Sequence, residues 1–189
     1  MSKLGIAIVG TGMIGAVHRR AALLAGAEVR GVAASSPQRA QEVAQAWNVA
    51  HAYRDIEEVV SDPQVQVVHV CTPNHLHRAM AQAALEAGKH VICEKPLATT
   101  LDDAQALAAL AARTGLVATV PFVYRYHPVV REARARIAQG ELGPLHLIHG
   151  SYLQDWLLDP ASNNWRVDPS LGGTCLLYTS DAADEGLGV

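Results

Sequence analysis

Long apolar runs are missing from this 189-residue chain. No stretch reaches the roughly 18 apolar residues that a membrane-spanning helix requires. The first apolar run, residues 4–9, is too short and too closely flanked by glycine to read as a signal peptide. A membrane partner is therefore not expected, and the expected location is the cytoplasm. An excess of positive charge is missing too: 15 Lys and Arg stand against 18 Asp and Glu, a formal net charge of -3, so nothing draws a nucleic-acid partner. Cysteine is scarce. Three thiols make no disulfide framework, and Cys71 and Cys93 close apolar strands, where a reduced thiol packs as a small hydrophobe. What the chain does have is apolar material, 50% of its residues, enough for one well-buried domain with residues left over.

Short β-rich runs alternate with longer Ala- and Leu-rich segments, the pattern of βαβ units around a parallel sheet. Strands are expected at residues 4–9, 28–33, 67–71, 89–93 and 116–120, and helices at 14–24, 37–47, 76–87 and 101–113, with a short one at 55–60. Ser36 followed by Pro37 supplies an N-cap and a first helical residue, Thr100 with Asp103 caps a later helix, and Gly88 and Gly115 stand where helices end. After Pro121 the texture changes to aromatics, prolines and a basic helix at 129–139. An alternating run at 145–153 then reads as a strand of a second sheet. The expected organisation is a dinucleotide-binding α/β domain over residues 1–121 and the beginning of a second, α+β domain over residues 122–174. No internal repeat is visible.

Residues 175–189 break these patterns. Cys175-Leu176-Leu177-Tyr178-Thr179-Ser180-Asp181-Ala182-Ala183-Asp184-Glu185 back-translates without strain to the end sequence of a transposase-based sequencing adapter, and Gly188-Val189 fits the adapter's next fixed bases. The segment is expected to be a translated adapter, a non-native tail outside fold and function. The natural gene is then expected to continue past Thr174, leaving this chain a fragment.

The chemistry begins at Gly10-Thr11-Gly12-Met13-Ile14-Gly15. Gly10 permits a tight turn out of the first strand, Gly12 lets backbone approach a pyrophosphate, and Gly15 lets the first helix pack closely on the sheet. The phosphates then meet the positive end of that helix. This glycine pattern follows a strand and opens a helix, the context that makes it a nucleotide-binding signal. At the end of the second strand, where an NAD enzyme places an acid for the ribose hydroxyls, this chain has Ala33-Ala34-Ser35-Ser36 with Arg39 close behind. Nothing there repels a 2′-phosphate, so the expected cofactor is NAD or NADP with NADP favoured. The competing reading makes Ser36 a helix cap and Arg39 a solvated charge. Thr72-Pro73-Asn74-His75-Leu76-His77 follows another strand and emerges at the ligand-binding edge of such a sheet. His75 and His77 alone lack the further ligands of a zinc or iron site, so no metal is expected.

Cys93-Glu94-Lys95-Pro96 is the most telling stretch: an apolar strand ends abruptly in an acid, a base and a proline. Burial and a neighbouring cationic nicotinamide ring both favour the neutral form of an amine. Lys95 is then placed to take the proton of a substrate hydroxyl while hydride leaves the same carbon. Pro96 fixes the backbone beyond it, with a cis bond the expected means of aiming the side chain.

Together these pieces resemble the Gfo/Idh/MocA family of oxidoreductases. The resemblance covers residues 3 to about 174 and rests on Gly10 to Gly15, Thr72 to His77, Ala87 to Ala98, and Asn164-Trp165-Arg166 followed by Gly172-Gly173. It implies a doubly wound parallel Rossmann sheet followed by the truncated start of an α+β substrate domain. It also implies hydride transfer between a nicotinamide cofactor and a sugar, inositol or related polyol, and a parent protein that is a homo-oligomer. It makes Lys95 the catalytic lysine and a contact of both cofactor and substrate, Glu94 and Pro96 cofactor-side residues, and Arg125, Trp165 and Arg166 contributors to the substrate pocket; Thr72, Pro73, Asn74 and His77, at the ligand-binding edge, are expected to contact the cofactor too. Arg125 and Arg166 read equally well as surface charges. Where the family shows an Asp-x-Gly-x-His segment after the paired glycines, this chain runs into its tail, so the fragment is expected to be inactive. The alternative function is a non-catalytic dinucleotide-binding regulator of the same fold, against which the retained Lys95 argues.

Overall fold

A computed structural model describes residues 3–151 and residue 168. Trp165, Arg166, the end of the expected strand at 152–153 and the tail at 175–189 lie outside the described residues. The chain divides into two compact units, Met1–Pro121 and Phe122–Val189.

The first unit is a six-stranded, wholly parallel sheet in the order β3-β2-β1-β4-β5-β6, an α/β Rossmann fold. Its strands are β1 (Gly5–Val9), β2 (Glu28–Ala33), β3 (His51–Tyr53), β4 (Val67–Val70), β5 (His90–Cys93) and β6 (Ala118–Thr119). Its helices are α1 (Met13–Leu24), α2 (Pro37–Trp47), α3 (Ile56–Ser61), α4 (Asn74–Glu86) and α5 (Leu101–Thr114). Strand order reverses between β1 and β4, so the loops leaving those two strands part in opposite directions and open a crevice at the carboxyl edge.

Successive residues of a strand point to opposite faces, and β1 divides its side chains accordingly. Ile6 and Ile8 pack with Ala22, Val32 and Val43 beneath α1 and α2, whereas Ala7 and Val9 pack with Val68, Ala84, Leu85 and Leu107 beneath α4 and α5. Both faces are covered, which is why β1 reads as an unbroken apolar run. Each fully buried Val or Ile contributes about 1.5–3 kcal/mol of transfer free energy.

Local signals place most of the elements. Ser36 Oγ accepts from the Arg39 amide at 3.1 Å with Pro37 as first helical residue, and Thr100 Oγ1 accepts from the Asp103 amide at 3.2 Å. Gly115 ends α5 with a φ of 65°, left-handed backbone that glycine adopts without strain. The three-residue strand β3 escapes a sequence reading because it has no apolar run. It exists by pairing with Gly31–Ala33 along the far edge.

The second unit contains a short 3-10 helix, Val123–Tyr126, and the helix α6 (Pro128–Ala138), with Pro128 at its start. The strand expected from residue 145 onward does not form over residues 145–151. Alternating polarity makes a strand only when a neighbour takes up its backbone amides and carbonyls, and no described strand of the second unit does so.

Candidate active site

Four loops leave the carboxyl ends of adjacent strands: 10–12 after β1, 34–36 after β2, 71–73 after β4 and 94–100 after β5. Backbone bonds carry the ladder past the strand ends and pin three of the loop starts. Gly10 N donates to Ala33 O at 2.9 Å, Cys71 N to Val9 O at 2.7 Å, and Glu94 N to Val70 O at 2.9 Å. The glycine loop, Ser35, Ser36 and Arg39, the Thr72-Pro73-Asn74 turn and Glu94-Lys95-Pro96 therefore share one edge of one sheet.

The glycine loop is shaped by backbone proximity. Gly10 sits at a φ of +97°, and a Cβ there would meet Cys71 O at 2.4 Å; a Cβ on Gly15 would meet Gly10 O at 2.2 Å. Gly12 differs, because a Cβ on it would meet nothing within 4 Å. Its surface is open, as a backbone that receives a ligand must be.

Helix starts divide in two. α2, α3 and α5 have side-chain caps from Ser36, Asp55 and Thr100, and α3 and α5 add acidic residues in their first turns. α1 and α4 have no side-chain cap and no acid in the first turn. These two follow β1 and β4, the strands that flank the crevice. Their partial positive charge is left uncompensated where an anionic group binds, so the residues present fit a dinucleotide.

Lys95 is half-buried at the turn after β5, and the Lys95–Pro96 peptide bond is cis. Two buried side chains hold this turn. His77, on α4, is 1% exposed, with Nδ1 2.7 Å from Pro96 O and Nε2 2.8 Å from Thr72 O. Sequence reasoning placed His77 at the cofactor. Both its ring nitrogens face backbone carbonyls, and it ties the β4 loop to the β5 loop.

The second holder is Glu94, whose Oε2 accepts from the Lys95 amide at 3.2 Å while Oε1 lies 2.9 Å from His18 Nε2. His18 Nδ1 in turn lies 3.0 Å from His69 Nδ1, with the two rings edge to face. Sequence reasoning missed both histidines. The available signal was His69, a polar residue inside the otherwise apolar run of β4, with His18 one helical turn past Gly15. Burial, and then the neighbouring His18 ring, push His69 down from 6.5 to about 4. The thiol of Cys93 is pushed up to about 12 by burial and then by the Glu94 carboxylate, and that of Cys71 is raised by the same causes. Both stay protonated and pack as apolar groups.

Asn74 is buried at the first turn of α4, and Met13 and Thr11 stand at the mouth of the glycine loop, Met13 largely exposed. Ile14 packs inward against the α1 face of the core. Ser35 is exposed, and Arg39 pairs with Glu42 at 2.9 Å on the surface of α2. Arg125 belongs to the second unit, where it lines a surface depression with Tyr126, Arg131 and Arg134.

Residues 4–122 match the oxidoreductase family with an NAD-binding Rossmann fold, and residues 130–179 match the GFO/IDH/MocA C-terminal domain. The chain belongs to the Gfo/Idh/MocA oxidoreductase family. Within it, the chain is 36% identical over 184 residues to levoglucosan dehydrogenase of Pseudarthrobacter phenanthrenivorans, covering 92% of this chain and 47% of that protein. It is 36% identical over 156 residues to 1,5-anhydro-D-fructose reductase of Ensifer adhaerens, covering 80% and 45%. Among solved Gfo/Idh/MocA structures, it superposes on an NAD-binding oxidoreductase from Klebsiella pneumoniae with a TM-score of 0.87 at 36% identity, covering 99% of this chain and 54% of the other. Levoglucosan dehydrogenase in complex with NADH and levoglucosan gives 0.84 at 37% identity, covering 92% and 50%. The chain thus spans about half the length of these Gfo/Idh/MocA relatives.

Proposed function

We propose that this chain is the dinucleotide-binding part of an NAD(P)-dependent enzyme that moves a hydride between the nicotinamide and a carbinol carbon of a sugar, inositol or related polyol. The observation that carries the reading is the gathering of two uncapped helix starts and the Glu94-Lys95-Pro96 turn along one edge of the sheet. Relatives named for levoglucosan and 1,5-anhydro-D-fructose support a sugar-class substrate.

Backbone amides from Gly12 to Gly15 would hold the pyrophosphate, with Thr11 and Met13 at the loop mouth. Thr72, Pro73, Asn74, Glu94 and Pro96 would form the wall toward the nicotinamide. That ring, when bound, supplies the hydride acceptor or donor. Lys95 takes the proton from the substrate hydroxyl in oxidation and returns it in reduction. Arg125, Trp165 and Arg166 contact the substrate in the complete protein, which is a homo-oligomer. Because the chain spans about half of its relatives, it binds the dinucleotide but has little or no turnover alone.

NADP is the favoured cofactor. β2 runs into Ala34, Ser35 and Ser36 with no carboxylate, and the exposed Arg39–Glu42 pair is of a kind that holds its arginine only weakly against a phosphate.

The test is Lys95→Ala in the complete protein. Loss of turnover with dinucleotide affinity retained supports the enzyme. Unchanged turnover defeats the proton-transfer role and favours the regulator.

A further inference from the structure

We infer that His18, backed by His69, is a positioning residue that fixes the Glu94 carboxylate and through it the backbone at Lys95. The inference rests on the reading of Lys95 as the proton-transfer residue of an NAD(P) enzyme.

The three side chains come from three places: His18 from α1, His69 from the middle of β4, and Glu94 from the turn directly after β5. They are 7%, 6% and 8% exposed. A carboxylate only accepts hydrogen bonds, so the hydrogen between Glu94 Oε1 and His18 Nε2 sits on His18. His18 Nδ1 faces Nδ1 of His69 at 3.0 Å, and the two rings share one hydrogen bond there. Desolvation keeps His69 neutral, in accord with a single ring hydrogen. The bonds form one chain that joins His69, His18 and Glu94, and the second carboxylate oxygen takes the Lys95 amide.

Packing alone does not call for this arrangement. The neighbours of His69 on the same face of β4 are Val67 and Cys71, and an apolar side chain between them would avoid the cost of burying polar groups. What the chain accomplishes is a link. α1 carries the glycine loop at its amino end, and Glu94 directly precedes Lys95, so the cradle for the pyrophosphate and the turn bearing the amine are held in one register by two hydrogen bonds. An interaction that freezes one carboxylate rotamer is what a proton-transfer residue needs behind it.

The 189-residue chain itself can be tested by NMR with 15N-labelled histidine. The expected spectrum has His18 protonated at Nε2. The Lys95 amide should be protected from hydrogen exchange, with protection falling about tenfold or more in His18→Leu and largely restored in His18→Gln, whose amide can still donate to Glu94. NADPH and NADH affinities, read by fluorescence, should fall with His18→Leu and recover with His18→Gln. A His18 ring protonated at Nδ1 and bare at Nε2, or Lys95 protection unchanged in a folded His18→Leu chain, overturns the inference. If His18→Leu fails to fold, His69→Phe with the wild-type ring spectrum decides in the same way. Failure of the unaltered chain to bind either dinucleotide would instead defeat the cofactor reading, since the ring and amide measurements need no ligand.

Discussion

His77 Nδ1 lies 2.7 Å from the carbonyl oxygen of Pro96, and the same ring reaches Thr72 O with its other nitrogen at 2.8 Å. One buried side chain therefore joins two loops that lie 24 positions apart in sequence between Thr72 and Pro96 but side by side at the sheet edge. Replacement by Ala empties the ring's volume and removes its hydrogen bonding to the partly buried Thr72 and Pro96 carbonyls. His77→Ala should lose about 2–4 kcal/mol of stability, measured by urea unfolding. Its dinucleotide affinity should also weaken, measured by fluorescence titration at a temperature where the variant remains folded.

Two glycines of the same loop should behave oppositely. Gly10→Ala places a Cβ 2.4 Å from Cys71 O at a φ of +97°, so it should destabilise the fold by about 2 kcal/mol or more. Gly12→Ala meets nothing within 4 Å and should leave the melting temperature within a few degrees of wild type. Its methyl group occupies the open surface offered to the pyrophosphate, so dinucleotide affinity should drop about tenfold or more, read by calorimetric titration. Equal affinities for Gly12→Ala and wild type would remove the pyrophosphate from this loop.

His69 sets a pH dependence of stability. Its folded value, about 4, lies below the ordinary 6.5, so the unfolded chain takes up the proton first as pH falls. Stability is complete above about pH 6.5 and is lost as pH falls toward 4, by about 2–3 kcal/mol from this group. Urea unfolding at pH 7 and pH 4.5 should show a smaller loss for His69→Phe than for wild type. The same loss in both would assign the effect to other groups.

Cofactor choice has its own readout. Arg39→Ala should weaken NADPH binding several-fold and leave NADH binding unchanged, because only the former carries a 2′-phosphate. Parallel losses for both cofactors would show that Arg39 acts through α2 and not through the ligand.

The doubly wound sheet was legible because its signals are local and repeated. Apolar runs separate amphipathic segments, and Ser36-Pro37 and Thr100 mark helix starts that the structure caps as expected. The edge was harder. β6 keeps two residues of an expected five because only β5 lies beside it, and β3 carries no pattern of its own. The run at 145–151 has the alternation of a strand and lacks a described partner. The site was legible where chemistry is written in consecutive residues, as in Gly10 to Gly15 and Glu94-Lys95-Pro96. It was illegible where the partners are distant: His18 and Glu94 are 76 positions apart, and nothing in either neighbourhood names the other. His77 stands out in the sequence for its place near a ligand loop, while its contacts, two backbone carbonyls, leave no trace in residue identity.

The placement of β1 in the middle of the sheet sets the order in which a ribosome can deliver a working cradle. Gly5 closes on Gln66 across 61 positions, and β1 finds its second neighbour only when Val67–Val70 has been synthesised. Until then the nascent glycine loop hangs from a strand with one open side, exposed to chaperones and to premature pairing with other chains. Release of β4 from the exit tunnel is the moment at which the phosphate cradle can first close.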